Sequence, residues 1–199
     1  MTQEQKEQLK LFKEFVKKWI NEDCQSAFEE SGARFLVLMG IFNYIEIMGA
    51  FVIGTRFRCR KRFEAFFKYL GKNYQKLLCL PNIDVYKELR CGFSHQFLPK
   101  SRKFHIYKEY TVLAPSLVVG NRTSSAAGYS VLSGSTLIYG EGIIFKNNEW
   151  HIVLSTLLED YKNAVDKLIK EIESENCDQN KLKIFFNTFN KFNFKNLEM

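Results

Sequence analysis

Apolar side chains recur at helical spacing near the start of the chain, at Leu9, Phe12, Phe15, Val16 and Trp19, with polar residues between them. That period predicts an amphipathic helix from about Gln3 to Ile20 lying across a core. From about Ala33 to Val52 the pattern becomes almost continuously apolar, broken by Asn43 and Glu46, as in a helix buried on all sides. Gly40 and Gly49 within it offer close approach to a neighbouring helix. A third helix starts at Thr55, puts Phe63, Phe66, Phe67 and Leu70 on one face and ends before Gly71. Pro81, Asn82 and Asp84 then stop the chain and start a fourth helix, which Pro99 ends; Asp84 serves as its cap and complements its dipole.

Between Phe104 and Ser155 the helical period disappears and β-branched residues, tyrosine, glycine and serine take over, which predicts short strands. The clearest is a hairpin of Ile143-Ile144-Phe145 with Trp150 to Leu154 about a turn at Asn147-Asn148. Leu157, Leu158, Tyr161, Val165, Leu168, Ile169 and Ile172 restore the helical period, with Thr156 as the cap. Composition leaves the Lys, Asn and Phe tail from Lys181 to Met199 open between a docked helix and a frayed end. The expected fold is mainly α with a small β insert, a helical bundle interrupted by strands at about 104–155. With no internal repeat and no dividing linker, 1–199 reads as a single domain.

Charge and cysteine usage narrow the setting. The chain carries +7 at neutral pH with a pI near 9.1, consistent with a polyanionic partner such as RNA. Cys24, Cys59, Cys79, Cys91 and Cys177 are odd in number and have no paired C-x-x-C spacing, which points to a reducing cytoplasm and away from zinc; no metal or cofactor is expected. The first residues lack the basic-then-apolar order of a signal peptide. The stretch from Phe35 to Ile53 has the length of a membrane span, and Arg56, Arg58, Arg60, Lys61 and Arg62 follow it as flanking charge would. Glu46 at its centre is costly in lipid and acceptable beside a polar partner in a buried helix, so a core helix is the expectation.

The chemistry concentrates in Leu89-Arg90-Cys91-Gly92-Phe93-Ser94-His95. Arg90 offers a permanently charged fork for a phosphate, and His95 a group that exchanges protons near neutrality. Those two suffice for RNA cleavage by the substrate's own 2′-hydroxyl, which needs general acid–base help and charge stabilisation at phosphorus. Ser94 is a further donor, and Glu46 the expected buried partner holding Arg90 in a bidentate pair. Five positions along an ideal helix turn through about 500°, leaving Arg90 and His95 about 140° apart. A shared site therefore needs an unwound helix end or a second subunit across a two-fold axis, and Gly92 suits close approach there. Lys100, Arg102 and Lys103, just past the motif, and Arg56, Arg58 and Arg60, beside Phe57, are the candidate RNA contacts. His105 and His151 fall in predicted strands without ligand-spaced partners and read as structural.

An arginine, four intervening residues and a histidine near the end of a helix, preceded by two apolar helices, resembles the HEPN superfamily, whose signature is Arg, four to six residues, then His. The resemblance covers about Ala33 to Pro99 and the helix from Thr156 to Ile172. It implies a helical core, a homodimer that joins two motifs in one cleft, and metal-independent RNA cleavage by Arg90 and His95. It also implies a place in toxin–antitoxin or anti-phage systems, where an antitoxin or regulatory protein is a partner. Cys91 stands where the family often has a polar residue. The alternative is a catalytically silent module that binds RNA, nucleotide or protein through the same cleft.

Overall fold

The Thr2 hydroxyl accepts from the Gln5 N–H while the Gln5 side chain accepts from the Thr2 N–H, a reciprocal cap that starts α1 (Gln3–Phe15). The structure, a computed structural model, describes residues 1–29, 34–95, 102–107, 129–132, 135–138 and 142–192. Its α1 passes through a π-helical stretch (Val16–Glu22) into α2 (Asp23–Glu29), so the first helical region runs past the predicted end at Ile20. The centre of the molecule is α3 (Arg34–Ile53), in which Leu38, Ile41, Phe42, Ile45, Met48 and Phe51 are fully buried. It packs against α2, α4 (Cys59–Phe67), α7 (Leu154–Glu173) and α8 (Gln179–Phe192). This helix is long and apolar enough to cross a membrane, and more than half of it is buried inside the protein. Such placement is that of a core helix and is compatible with a soluble protein.

The start of α4 differs from expectation for a local reason. Gly54 takes φ 99° and its N–H returns to the Ala50 carbonyl at 2.8 Å, ending α3 with a left-handed residue. The chain then needs residues 55–58 to turn, and α4 begins at Cys59 rather than Thr55. The same Ala50 carbonyl accepts the buried Thr188 hydroxyl of α8 at 3.0 Å. After a 3-10 turn (Lys68–Leu70) and Gly71 at φ 146°, a short α5 (Lys72–Leu77) that no periodicity announced turns Tyr74 and Leu77 into the core. Asp84 does act at the start of the motif helix, its Oδ1 accepting from the Lys87 N–H at 3.0 Å. That helix is π-helical over Tyr86–Cys91 and becomes α6 over Gly92–His95.

The strand-rich region forms a three-stranded sheet in the order β1-β5-β4. Here β1 (Phe104–Tyr107) runs parallel to β5 (Glu149–Val153), and β4 (Ile143–Lys146) is antiparallel to it. Asn147 and Asn148 both adopt positive φ, the requirement of the tight turn expected there. A separate hairpin pairs β2 (Tyr129–Leu132) with β3 (Ser135–Ile138). The fold is thus mainly α with a small β insert. Helix α7 begins at Leu154, directly off β5, so Thr156 lies inside it instead of capping it. The first part of the tail is the docked helix α8, whose Phe185 and Phe189 are buried against the core, and residues 193–199 lie outside the described region.

A partly buried polar lock ties the sheet to the helices. Tyr74 donates to Asp160 Oδ2 at 2.5 Å, and the Gly142 N–H reaches both the Tyr74 hydroxyl (2.9 Å) and Asp160 (3.2 Å). Burial raises the Asp160 pKa, and the two hydrogen bonds offset this only in part. A raised carboxylate pKa means the folded state disfavours the charge that the unfolded chain carries freely. Asp160 therefore lowers stability above its folded pKa, and stability is recovered as pH falls through that value. Asp160→Asn, which keeps an acceptor, is expected to hold or raise stability at pH 7 and to remove this pH response; Asp160→Ala is expected to lose about 2 kcal/mol in urea unfolding.

Candidate functional site

The motif arginine is built into the protein through α3. Glu46 faces α4 and the motif helix from the middle of the central helix and is 8% exposed. Its Oε2 accepts Arg90 Nε at 3.0 Å and its Oε1 accepts Arg62 Nη2 at 3.0 Å. The carboxylate is therefore shared between two guanidiniums rather than held by Arg90 in a bidentate pair. Arg62 also reaches Cys59 Sγ at 3.1 Å, while its Nε is buried without a hydrogen-bond partner. Gly49, one turn beyond Glu46, makes the arrangement accessible, because α4 passes so close that a Cβ at this position would lie 1.8 Å from the Arg62 carbonyl oxygen. Gly40 has only ordinary contacts at 3.9 Å, so close approach belongs to Gly49 alone of this pair.

Electrostatically the cluster carries two positive charges against one negative, within a shell where Arg62 and Arg90 side chains are 19% and 15% exposed. Arg90 is held by its Nε edge, and no further partner of its guanidinium occurs among the described residues. Tyr86 lies next to this cluster: burial first, then the neighbouring Cys91 and Glu46, push its hydroxyl pKa up. The Gly92 N–H reaches back to the Lys87 carbonyl, the five-residue spacing of the π stretch. Arg90 lies within this stretch, so part of its angular separation from position 95 is smaller than on an ideal helix. The Ser94 and His95 side chains and Lys100 lie outside the described residues.

The candidate RNA contacts divide into free and committed cations. Arg60 makes a two-point pair with Asp84 at 2.8 and 2.6 Å and lies over the Tyr86 ring. Burial alone would raise the Asp84 pKa; Arg60 and the Lys87 N–H outweigh it and hold the carboxyl below its ordinary value. Arg102 Nε donates to both oxygens of Glu88 at 3.1 Å and lies over Phe145. Glu88 also accepts the Trp150 indole N–H at 2.7 Å, so this acid clamps the motif helix to β5. Arg56 and Arg58 remain exposed, and Lys103, also exposed, is paired with Glu149 at 3.6 Å. Arg56 lines a cavity of about 470 Å³ together with Lys183 and Lys191 of α8, a cationic cleft that joins two distant parts of the chain.

Three roles escaped the sequence reading. Arg62 was one member of a basic run, although its spacing from Phe63 and Phe66 puts it beside the core. Glu88 looked like an ordinary helix acid. His105 and His151, read as lacking ligand-spaced partners, in fact converge with Glu149: His105 Nε2 is 3.0 Å from Glu149 Oε2, and the two imidazoles stack at 4.7 Å. The partners are 44 residues apart and meet only through the β1–β5 pairing. Glu149-x-His151 was the one local sign, an alternation that puts both on one face of a strand. Comparison with protein-family models, curated proteins and solved structures finds no match to this chain.

Proposed function

We propose that the chain is a metal-independent endoribonuclease resembling the HEPN superfamily, acting in the cytoplasm as a toxin or anti-phage defence component. What supports this reading is the shared carboxylate: Glu46 compensates one of two guanidiniums and grips Arg90 by Nε, which leaves the Nη side of the motif arginine for a phosphate. In the proposed reaction Arg90 neutralises the scissile phosphate. The 2′-oxygen attacks phosphorus, the bond to the 5′-oxygen breaks, and His95 moves a proton between attacking and leaving oxygens. The products are a 2′,3′-cyclic phosphate and a 5′-hydroxyl. Ser94 donates to the phosphate, Glu46 positions Arg90, and Arg56, Arg58 and Lys100 hold the flanking backbone, with less from Arg60, Arg102 and Lys103 because of their ion pairs. Two copies across a two-fold axis bring two motifs into one cleft, where an antitoxin or regulatory protein also binds.

A catalytically silent RNA-, nucleotide- or protein-binding module is the second reading. The burial of Arg90 and its ion pair favour it, since both suit a structural arginine. Incubation of the purified chain with mixed RNA and a chelator decides between them, with circular dichroism confirming that each protein is folded. Cleavage by the parent, lost in His95→Ala and in Arg90→Ala, with cyclic phosphate ends, is the expected result. No cleavage by a folded parent, with RNA still retained on a filter, would establish the silent module.

A further inference from the structure

The side of the three-stranded sheet turned away from Trp150 and Phe104 carries an arrangement that RNA cleavage does not use. His105 on β1 is the direct register partner of His151 on β5, and Glu149 lies two residues before His151 on the same face. One ligand atom from each of the three residues falls within 4.8 Å of the others. We propose that His105, Glu149 and His151 bind one divalent transition metal of the zinc class, with water in the fourth position, and that the metal clips β1 to β5.

The donor set decides the class of ion. Two imidazoles with one carboxylate suit zinc and its neighbours, whereas calcium and magnesium take oxygen ligands. Metal–ligand bonds of about 2.1 Å in a tetrahedron put donor atoms about 3.4 Å apart. The His105–Glu149 pair, at 3.0 Å, is already near that separation. The widest pair needs a contraction of about 1.4 Å, within the reach of side-chain rotation on a fixed backbone. An outer partner is also in place, because the Tyr107 hydroxyl lies 3.3 Å from His151 Nδ1, leaving Nε2 as the ligating nitrogen. Without metal, Glu149 is occupied by His105 and, at 3.6 Å, by Lys103, contacts that an ion would replace. The site forms only when two strands 44 residues apart have paired, so occupancy reports on the fold of the insert.

The test is titration of the metal-free full chain with Zn²⁺ by calorimetry and with Co²⁺ by visible absorption. The chain has three histidines, so His95→Ala is the matched control. One equivalent is expected to bind, with a tetrahedral Co²⁺ spectrum free of thiolate charge-transfer bands and a rise in the parent's melting temperature. His105→Ala and His151→Ala, whose side chains lie on the open face of the sheet, are each expected to weaken binding more than about 100-fold, beyond the loss of an outer partner. Tyr107→Phe should weaken it by about 10-fold, and His95→Ala should leave it unchanged. Unchanged affinity in both strand-histidine variants, thiolate bands, or no binding by the folded parent at millimolar Zn²⁺ would each overturn the proposal.

Discussion

Gly49→Ala is expected to destabilise this protein by at least about 3 kcal/mol, at or beyond the upper end of ordinary overpacking. The added Cβ would lie 1.8 Å from the Arg62 carbonyl oxygen and 2.3 Å from its carbon, both backbone atoms. No rotamer change relieves that contact, so α3 and α4 must separate. Separation is resisted because Phe63, Phe66 and Phe67 of α4 are fully buried and Phe63 packs against Phe42 of α3. The same movement carries Arg62 away from Glu46. Against a total stability of about 5–15 kcal/mol, such a loss lowers the urea midpoint sharply. Gly40→Ala is the control within the same helix. Its nearest atoms are 3.9 Å away, and replacing a helix glycine gains up to roughly 1 kcal/mol, so a neutral or raised midpoint is expected. Equal effects of the two substitutions would contradict the packing of α4 on Gly49.

That contrast also marks what sequence can and cannot supply. Gly40 and Gly49 are alike as letters in an apolar helix, and only the position of Arg62, thirteen residues beyond Gly49, separates them. The long elements were legible because each has its own periodicity: the buried run of α3, the single apolar face of α7 and the Asn-Asn turn between β4 and β5 all follow from local patterns. Short α5 was not legible, since six residues with two core contacts make too weak a period. The start of α4 was displaced because the residue that sets it, Gly54, acts by terminating the preceding helix. At the candidate site, an acid in an apolar helix announces a buried cation but not how many. Glu46 has two, and the second came from a basic run whose members differ only in what they face. The histidine and glutamate cluster of the sheet depends on a parallel pairing that no local pattern encodes.

Glu46→Ala is the second substitution expected to have a large effect, about 3–5 kcal/mol, because it leaves two largely buried guanidiniums facing each other without their shared anion. Glu46→Gln is expected to fall close behind. Its amide offers an acceptor to one arginine and can turn only its NH₂ group toward the other. The loss in Glu46→Ala measures stranded charge, not the net value of the ion pairs, and the distinction has an experimental form. The triple variant Glu46→Met, Arg62→Met, Arg90→Met removes all three charges and replaces them with side chains that fill irregular space. It is expected to recover most of the stability lost in Glu46→Ala, as read from urea midpoints. If the cluster exists to hold a phosphate-binding arginine, the recovered protein will be folded and unable to cleave or retain RNA, whereas His95→Ala will retain RNA and fail only to cut. A triple variant as unstable as Glu46→Ala would instead make the three charges a requirement of the fold. Recovery of both stability and RNA binding would remove Arg90 from the site.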